Sequence, residues 1–154
     1  MEYEGEYFLF KKWNGIGYDE NKNVIYTLNN GNGNVKEYDF QGDLKYEGEY
    51  VNGKRNGIGK EYDMSNKLIF CGEFKDGKRW NGKGYDGSNN IVYELKNGKG
   101  RVKEYNFGKL IFEGEYLNGK KNGKGKEYDF MGNLIFEGEY LNGNKVSNKS
   151  CWII

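Results

Sequence analysis

One phrase of the sequence occurs twice with almost no change. Residues 47–63 read EGEYVNGKRNGIGKEYD and residues 113–129 read EGEYLNGKKNGKGKEYD, so the copies differ at three positions. The tetrapeptide EGEY also begins at Glu4 and Glu137, and CGEF at Cys71 is a variant of it. Self-similarity of this kind is typical of repeat architectures, in which each unit packs against its neighbours. The repeat therefore constrains the fold more than any other feature of the chain.

The repeat has a short period nested in a longer one. Units of about two dozen residues begin at an aromatic residue, and every third unit is of the same type. The first type carries a Trp before an Asn-Gly pair, the second (24–40 and 91–107) lacks EGEY and has a shortened first turn, and the third is the repeated phrase. We predict a repeat array over 1–143, followed by a non-repeat tail or cap over 144–154. Its units start near residues 3, 26, 46, 70, 93, 112 and 136.

Each unit predicts a β-hairpin. In residues 112–116, FEGEY, aromatic residues and glycine alternate with glutamates, so the glutamates lie on the opposite face of a strand. The Asn-Gly pairs that follow favour a tight turn, because both residues tolerate positive φ. Residues 123–129, GKGKEYD, then form the second strand, and the recurring Gly and Asn-Gly disfavour helix throughout.

The strand glycines have a predicted role in packing. A glycine beside an aromatic residue leaves a flat backbone surface for the ring, and we expect Gly48, Gly59, Gly114 and Gly125 to seat Tyr or Phe rings. Isolated hairpins are barely stable in water, so the units must stack edge to edge. The predicted fold is all-β: an elongated single-sheet solenoid of about 13 or 14 strands in stacked antiparallel β-hairpins, whose charged side chains face water.

Composition excludes several classes of protein. The chain has 154 residues, 25 Gly, 17% aromatic residues, no Pro and a net charge of +1. The abundant aromatics argue against disorder, and the balanced charge argues against nucleic-acid binding. The two cysteines occupy positions that are not equivalent in the repeat, so a disulfide framework is not expected. No apolar run is long enough to span a membrane. The repeat pattern begins at Tyr3, where a signal peptide would otherwise stand. We therefore expect a cytoplasmic protein.

The phrase Y/F-E-G-E-Y-x-N-G-K-x-N-G-x-G resembles the MORN (membrane occupation and recognition nexus) repeat. The aromatic pairs Tyr46/Tyr50 and Phe112/Tyr116 match that motif, although Tyr or Phe replaces its Trp. Its His is replaced by Asn at 56, 81 and 122, so the chain resembles a divergent, Lys/Asn-rich variant. The resemblance implies stacked hairpins and a scaffold or adaptor role, often at membranes or the cytoskeleton.

Enzymatic chemistry is not expected. The chain has no His, which removes Ser-His, Cys-His and His-metal sites. The paired glutamates, such as Glu47/Glu49 and Glu113/Glu115, recur in most units, which favours a solvated face with cross-strand lysine partners over one catalytic site. The short glycine runs at 31–33 and 98–100 lie in predicted hairpins, not between a strand and a helix, so no phosphate loop, cofactor or metal site is predicted.

Pairs of basic residues and two tryptophans are the candidate contact residues. The basic pairs occupy equivalent turns, so a linear stack would align them in a row that can contact an anionic membrane or a protein partner. The simpler interpretation is that lysines keep the hairpin ends soluble and that each Trp fills a wider turn. The candidates are Lys11, Lys12, Lys54, Arg55, Lys78, Arg79, Lys120, Lys121, Trp13 and Trp80.

The last four residues, Cys151 to Ile154, have the C-a-a-X form of a prenylation signal. The alternative interpretation is an apolar strand that caps the last hairpin. A single prenyl chain anchors only marginally, so a lipidated Cys151 would need the basic row as a second membrane signal.

The sequence thus predicts a non-enzymatic scaffold that binds protein partners or a membrane surface at many weak points. Two alternatives stay open: a prenyl-anchored peripheral membrane protein that binds anionic lipid, and an inhibitor similar to bacterial antitoxins. A carbohydrate- or choline-binding repeat would favour secretion and clustered Trp-Tyr, which the chain lacks. Unpaired edge strands at both ends would also allow a homodimer.

Overall fold

The computed structural model describes residues 2–146, and in that range the chain is a meander of fourteen antiparallel β-strands without a helix. This confirms the predicted all-β stack of hairpins. The strand pattern continues past residue 143, because the short last strand pairs with the strand before it. The strands are β1 (Glu2–Phe8), β2 (Lys11–Tyr18), β3 (Val24–Leu28), β4 (Gly33–Tyr38), β5 (Leu44–Val51), β6 (Lys54–Tyr62), β7 (Leu68–Lys75), β8 (Lys78–Tyr85), β9 (Ile91–Leu95), β10 (Gly100–Asn106), β11 (Lys109–Leu117), β12 (Lys120–Tyr128), β13 (Leu134–Leu141) and β14 (Asn144–Lys145).

The strands form three sheets in series, which corrects the prediction of a single sheet. β1–β3, β4–β9 and β10–β14 are each continuously hydrogen-bonded, and the breaks fall inside the two copies of the second unit type. There the turn keeps only one bridge, Asn29 to Asn32 in the first copy. Buried aliphatic side chains replace the usual strand glycines at these breaks: Leu28 and Val35 pack with Tyr26 in one cluster. Because these side chains need room between the strands, the backbones separate.

The turns divide between two edges of the molecule. Turns that follow odd-numbered strands have two central residues with positive φ, as in Asn52 (52°) and Gly53 (70°). Asn and Gly adopt this left-handed conformation at low cost, which explains the Asn-Gly pairs. We call this side the Asn-Gly edge; it comprises residues 8–11, 29–32, 51–54, 75–78, 96–99, 117–120 and 141–144.

Turns that follow even-numbered strands lie on the opposite side, and most are closed by an aspartate. Asp63 is typical: its Oδ1 accepts hydrogen bonds from the backbone N–H groups of Ser65 and Lys67, both at 2.9 Å. Such Asx turns replace backbone pairing where the strands reverse. We call this side the Asp edge; it comprises residues 19–23, 39–43, 63–67, 86–90, 106–109 and 129–133.

Backbone hydrogen bonds connect successive turns along the Asn-Gly edge. The N–H of Gly53 donates to the carbonyl of Gly31 at 2.8 Å, and that of Gly77 donates to the carbonyl of Arg55 at 2.8 Å. The first of these bonds crosses a break between sheets. The turns therefore hold neighbouring sheets in register where strand pairing is interrupted.

Aromatic rings lie on strand glycines, as predicted. A Cβ on Gly59 would lie 2.5 Å from the Tyr46 hydroxyl oxygen, and one on Gly125 would lie 2.8 Å from the Phe112 ring. Both rings are almost fully buried, at 0% and 1% exposure. A single β-layer can bury its aromatics in this way because backbone, not side chain, covers the underside of each ring.

The Gly59→Ala variant tests this packing. The added methyl group would overlap the Tyr46 ring, and overpacking of this kind costs about 1–3 kcal/mol of unfolding free energy. Urea unfolding measures the loss. The control is Lys60→Ala, whose side chain is exposed on the opposite face and should cost less than about 1 kcal/mol. Equal losses for the two variants would contradict the role assigned to Gly59.

Candidate functional site

The face that carries the aromatic rings also carries charges, which corrects the expectation that the charges face water. A cation stands nine residues after the first aromatic of several units and covers that ring. Arg55 Cζ is 4.4 Å from the Tyr46 ring centroid, and Lys121 Nζ is 3.8 Å from that of Phe112. A cation over an aromatic face is attracted by the ring quadrupole, more so when it is shielded from water. The five cations placed in this way are Lys12, Arg55, Arg79, Lys121 and Lys145.

Four of these cations also pair with glutamates of neighbouring strands. Arg55 binds Glu37 at 2.8 Å and Glu61 at 3.1 Å, and Arg79 continues from Glu61 at 2.7 Å to Glu104 at 3.8 Å. The alternation runs along the array, because each carboxylate lies between two cations or at the end of the row. We call this row the charge ladder; it comprises Glu37, Arg55, Glu61, Arg79, Glu104, Lys121, Glu127 and Lys145.

Tyrosine hydroxyls complete the hydrogen bonding of the ladder. Tyr116 donates to Glu104 at 2.6 Å and Tyr140 donates to Glu127 at 2.8 Å. Tyr50 makes the corresponding bond to Glu37. A partly buried carboxylate therefore has donors from both cations and phenols, which is what burial of charge requires.

The electrostatics of the ladder keep its acids ionised. Burial alone would raise the pKa of Glu61, but the charges and hydrogen bonds of Arg79 and Arg55 outweigh it and hold that pKa below its usual value. Burial likewise opposes ionisation of Glu37, and its bonds and charge interaction with Arg55 lower the pKa of that carboxyl. For Tyr46, burial raises the phenol pKa, so the ring stays neutral.

The two members of each basic pair lie in different places, one over the aromatic rings and the other at the Asn-Gly edge. Their second members, Lys12, Arg55, Arg79 and Lys121, turn inward over the aromatic rings. Their first members lie at the Asn-Gly edge, where Lys54 and Lys120 are exposed and Lys11 and Lys78 are half-buried. Sequence reasoning grouped both members into one outward row. The fixed nine-residue spacing from aromatic to cation was the signal that could have separated them.

The two tryptophans contact the turn that follows them. A Cβ on Gly31 would lie 2.8 Å from the Trp13 ring, and one on Gly98 would lie 2.7 Å from the Trp80 ring. Each Trp carbonyl also accepts the N–H of the same glycine at 2.8 Å. Trp80 is half-buried, and Lys75 Nζ lies 4.7 Å from its ring centroid. Both tryptophans support the join between sheets, in agreement with the turn-filling interpretation.

The paired glutamates lie on the face opposite the rings. Glu47 pairs with Lys60 at 3.3 Å and accepts a hydrogen bond from the Tyr62 hydroxyl at 2.7 Å. Burial, followed by that bond, raises the pKa of Tyr62 to about 12. These cross-strand partners agree with a structural role for the acids. Within residues 2–146, no three His, Cys, Asp or Glu side chains are placed together to hold a metal ion.

Charge is segregated between the two edges. The Asn-Gly edge has a single acid, Asp76, whereas acids predominate at the Asp edge, which has three lysines. The net charge of the chain, +1, conceals this difference. The lysines of the Asn-Gly edge are Lys11, Lys54, Lys75, Lys78, Lys96, Lys99 and Lys120, and the acids of the Asp edge are Asp19, Glu20, Asp39, Asp43, Asp63, Asp86 and Asp129.

Comparison with known protein families identifies the repeat unit of this structure. The MORN repeat matches residues 46–66, 70–84 and 112–134. These three segments of the chain are MORN repeats. MORN repeats generally act as scaffolds for protein or membrane interaction, and they are typically not enzymes. No curated protein matches the sequence.

The matched MORN segments begin at three predicted units, 46, 70 and 112. The second unit type is unmatched, yet its two copies supply Glu37 and Glu104 to the charge ladder. A unit that the MORN repeat does not match thus supplies the carboxylate that its matched neighbours need. In the described part of the chain no helix is long and apolar enough to cross a membrane, and Cys151 lies outside the described residues.

The Glu61→Gln variant tests the ladder's contribution to stability. It would remove the shared carboxylate from Arg55 and Arg79, and breaking a buried pair in this way costs about 3 kcal/mol of unfolding free energy. Chemical unfolding at neutral pH measures the loss. The matched control, Glu47→Gln, removes an acid from the more exposed face and should cost less than about 1 kcal/mol. A smaller loss for Glu61→Gln than for Glu47→Gln would contradict the assignment.

The pH dependence of stability follows from the lowered glutamate pKa values. Their ordinary value is 4.5, and the folded pKa values of Glu37, Glu61 and Glu127 lie below it. The stabilisation is fully present above about pH 4.5 and is lost as pH falls through the folded pKa values. Unfolding measured between pH 7 and pH 3 should show this loss, with a shallower slope for Glu61→Gln. Parallel slopes would contradict the prediction.

Proposed function

We propose that this protein is a non-enzymatic scaffold whose Asn-Gly edge binds an anionic membrane surface. The observation that carries the proposal is the charge of that edge, where seven lysines and one aspartate occur in a chain with a net charge of +1. Juxtamembrane lysines contribute about 1 kcal/mol each near an anionic leaflet. MORN repeats are also associated with membrane-binding proteins, which supports the proposal.

The packing of the edge lysines supports multivalent contact. The side chain of Lys11 lies against Gly53 of a later turn, where a glycine Cβ would be 2.9 Å from the Lys11 Cβ. Lys78 lies against Gly119 in the same way. Backbone thus supports the aliphatic part of both side chains, in the turns 8–11 and 75–78. A row of this kind binds by many weak contacts at high effective concentration.

The Asp edge would be directed away from the membrane. Its acids are more numerous than its lysines, and like charge repels it from an anionic leaflet. Asp86 and Asp129, which are partly exposed, each use Oδ1 to close their turn, so these charges are fixed in place. The opposite charges of the two edges would orient the array on the membrane, with the Asn-Gly edge in contact and the Asp edge free for other contacts.

Vesicle co-sedimentation tests the proposal. Protein produced in bacteria, and so unprenylated at Cys151, is mixed with phosphatidylcholine vesicles with or without phosphatidylserine. We expect binding only with phosphatidylserine and loss of binding as salt rises. The variant with Gln at Lys54, Lys78, Lys99 and Lys120 should lower the partition coefficient by a factor on the order of 10² to 10³.

A matched variant removes the same number of charges from the strand face. It carries Gln at Lys36, Lys60, Lys83 and Lys126, which project from the face opposite the rings. Equal net charge separates an effect of position from an effect of total charge. If both variants bind equally, the Asn-Gly edge is not the contact surface; if the unmodified protein does not bind the anionic vesicles, the membrane proposal is wrong.

A further inference from the structure

The first three strands repeat the arrangement of β7–β9, but one neighbour is missing. Residues of the first unit correspond to residues 67 positions later, so Tyr3, Tyr7 and Lys12 match Phe70, Phe74 and Arg79. β7 is covered by β6, whereas no strand of residues 2–146 pairs with the outer edge of β1. The internal copy therefore shows what the N-terminal edge would contact if a strand were added to it.

Strand β6 supplies three kinds of contact to the internal copy. Its backbone pairs with β7 from Gly57 opposite Phe74 to Glu61 opposite Phe70. Its Glu61 binds Arg79 at 2.7 Å. Its Arg55 carbonyl accepts the N–H of Gly77, in the turn that follows β7, at 2.8 Å.

Each of these contacts lacks its partner at the N-terminal end. Lys12 lies over Tyr3 and donates to the Tyr26 hydroxyl at 3.0 Å, but no carboxylate of residues 2–146 lies within ion-pair distance of it. Six later turns of the Asn-Gly edge donate a glycine N–H to an earlier carbonyl, and the equivalent N–H, that of Phe10, has no such acceptor in the described residues. Tyr7 is 61% exposed, whereas its counterpart Phe74 is 1% exposed.

An open cleft of about 650 Å³ lies between the first sheet and β4–β5. Tyr3, Tyr7, Phe10 and Lys12 line one side, and Glu37 and Tyr50 line the other. The turn that borders it is also unusual. Leu9 and Phe10 have φ values of 47° and 64°, in a turn type that elsewhere on this edge has Asn or Asp followed by Gly. Bulky residues in this left-handed conformation store backbone strain.

We propose that the outer edge of β1 accepts an extended strand from another protein, of the pattern Gly-x-Gly-x-Glu. The strand adds to the sheet in antiparallel orientation and its glutamate binds Lys12. The first glycine copies Gly57, whose φ of 95° favours glycine. The second is required because Gly125 of β12, the counterpart of Gly59, lies against the ring of Tyr140, the counterpart of Tyr7, with a Cβ distance of 3.0 Å. Strand addition of this kind derives affinity from main-chain hydrogen bonds and specificity from alternate side chains. This surface meets the Asn-Gly edge at the turn 8–11, but it does not include Lys54, Lys78, Lys99 or Lys120, the lysines changed in the vesicle test.

A fluorescent peptide with the sequence of residues 54–66, KRNGIGKEYDMSN, is the probe, because these residues fill the equivalent place at β7. Fluorescence anisotropy against the intact chain should show saturable binding. Gln in place of Glu61 in the peptide, or Lys12→Gln in the protein, should weaken binding about tenfold or more, since each truncates one partner of a shielded charge pair. Val in place of Gly59 in the peptide should have a similar effect.

Exchanging the charges of Lys12 and the peptide glutamate separates loss of binding from loss of folding, because a misfolded protein would not gain a new peptide. The Lys12→Glu protein should lose the original peptide and gain a peptide with Lys in place of Glu61. The Lys126→Gln protein is the control, because Lys126 projects from the face opposite the rings in the distant strand β12; this protein should bind the original peptide as before. Thermal unfolding identifies any variant that fails to fold, and Lys12→Arg, which copies Arg79, should fold and bind at least as tightly as the original.

Three outcomes would overturn the proposal. The first is an absence of saturable binding at millimolar peptide. The second is binding that is indifferent to both Lys12 and the peptide glutamate. The third, seen by sedimentation, is a dimer that excludes the peptide and dissociates in the Lys12→Gln variant, because the occupant would then be a second copy of the chain.

Discussion

The structure depends on one interaction: an aromatic ring held between a glycine backbone and a cation. Tyr46 shows it completely, with Gly59 against the ring and Arg55 4.4 Å from the ring centroid. A single layer of β-strands has no second layer to cover its core, and the cation's side chain performs that task while its charge is neutralised by glutamates of adjacent strands. The cationic side chain therefore covers the ring and also joins neighbouring strands. It requires one strand register, because a shift of one residue would place the glutamate on the opposite face of the sheet.

This arrangement explains why a chain rich in charge and poor in aliphatic residues can fold. Its hydrophobic fraction is 36% and its charged fraction is 31%, values that would leave a conventional core small. The aromatics supply the buried area, and the charges that pack on them are used twice, for cover and for pairing. Buried ion pairs are weak evidence for stability as such. Their better-attested role is specificity, and we infer that the alternation of cation and glutamate selects which strands become neighbours.

Much of the fold could be predicted from the sequence, and the reasons are local. Asn-Gly pairs favour turns, alternation assigns side chains to the two faces of a strand, and glycines opposite aromatic residues, such as Gly59 and Gly125, indicate ring contacts.

The candidate surface was only partly predictable. Lys54 and Arg55 are adjacent and chemically alike, yet one is exposed at the edge and the other lies over a ring, because the two positions point to opposite faces of β6. The charges of the ladder were expected to face water because their partners lie on other strands, 18 residues away in the pair of Arg55 and Glu37.

By itself, the sequence determined a repeat array of antiparallel hairpins, its MORN character and the division of its turns into two kinds, because each of these follows from short-range patterns repeated many times. The tertiary structure alone decided where the sheet breaks, which cations are shielded, and that no strand of the described residues covers the first unit as β6 covers its internal copy. Those features depend on what lies across the strands: Leu28 and Val35 separate two sheets, Glu61 neutralises Arg79, and no carboxylate of the described residues reaches Lys12. Repetition specifies the unit, and only the packed structure shows how the surroundings of two equivalent units differ.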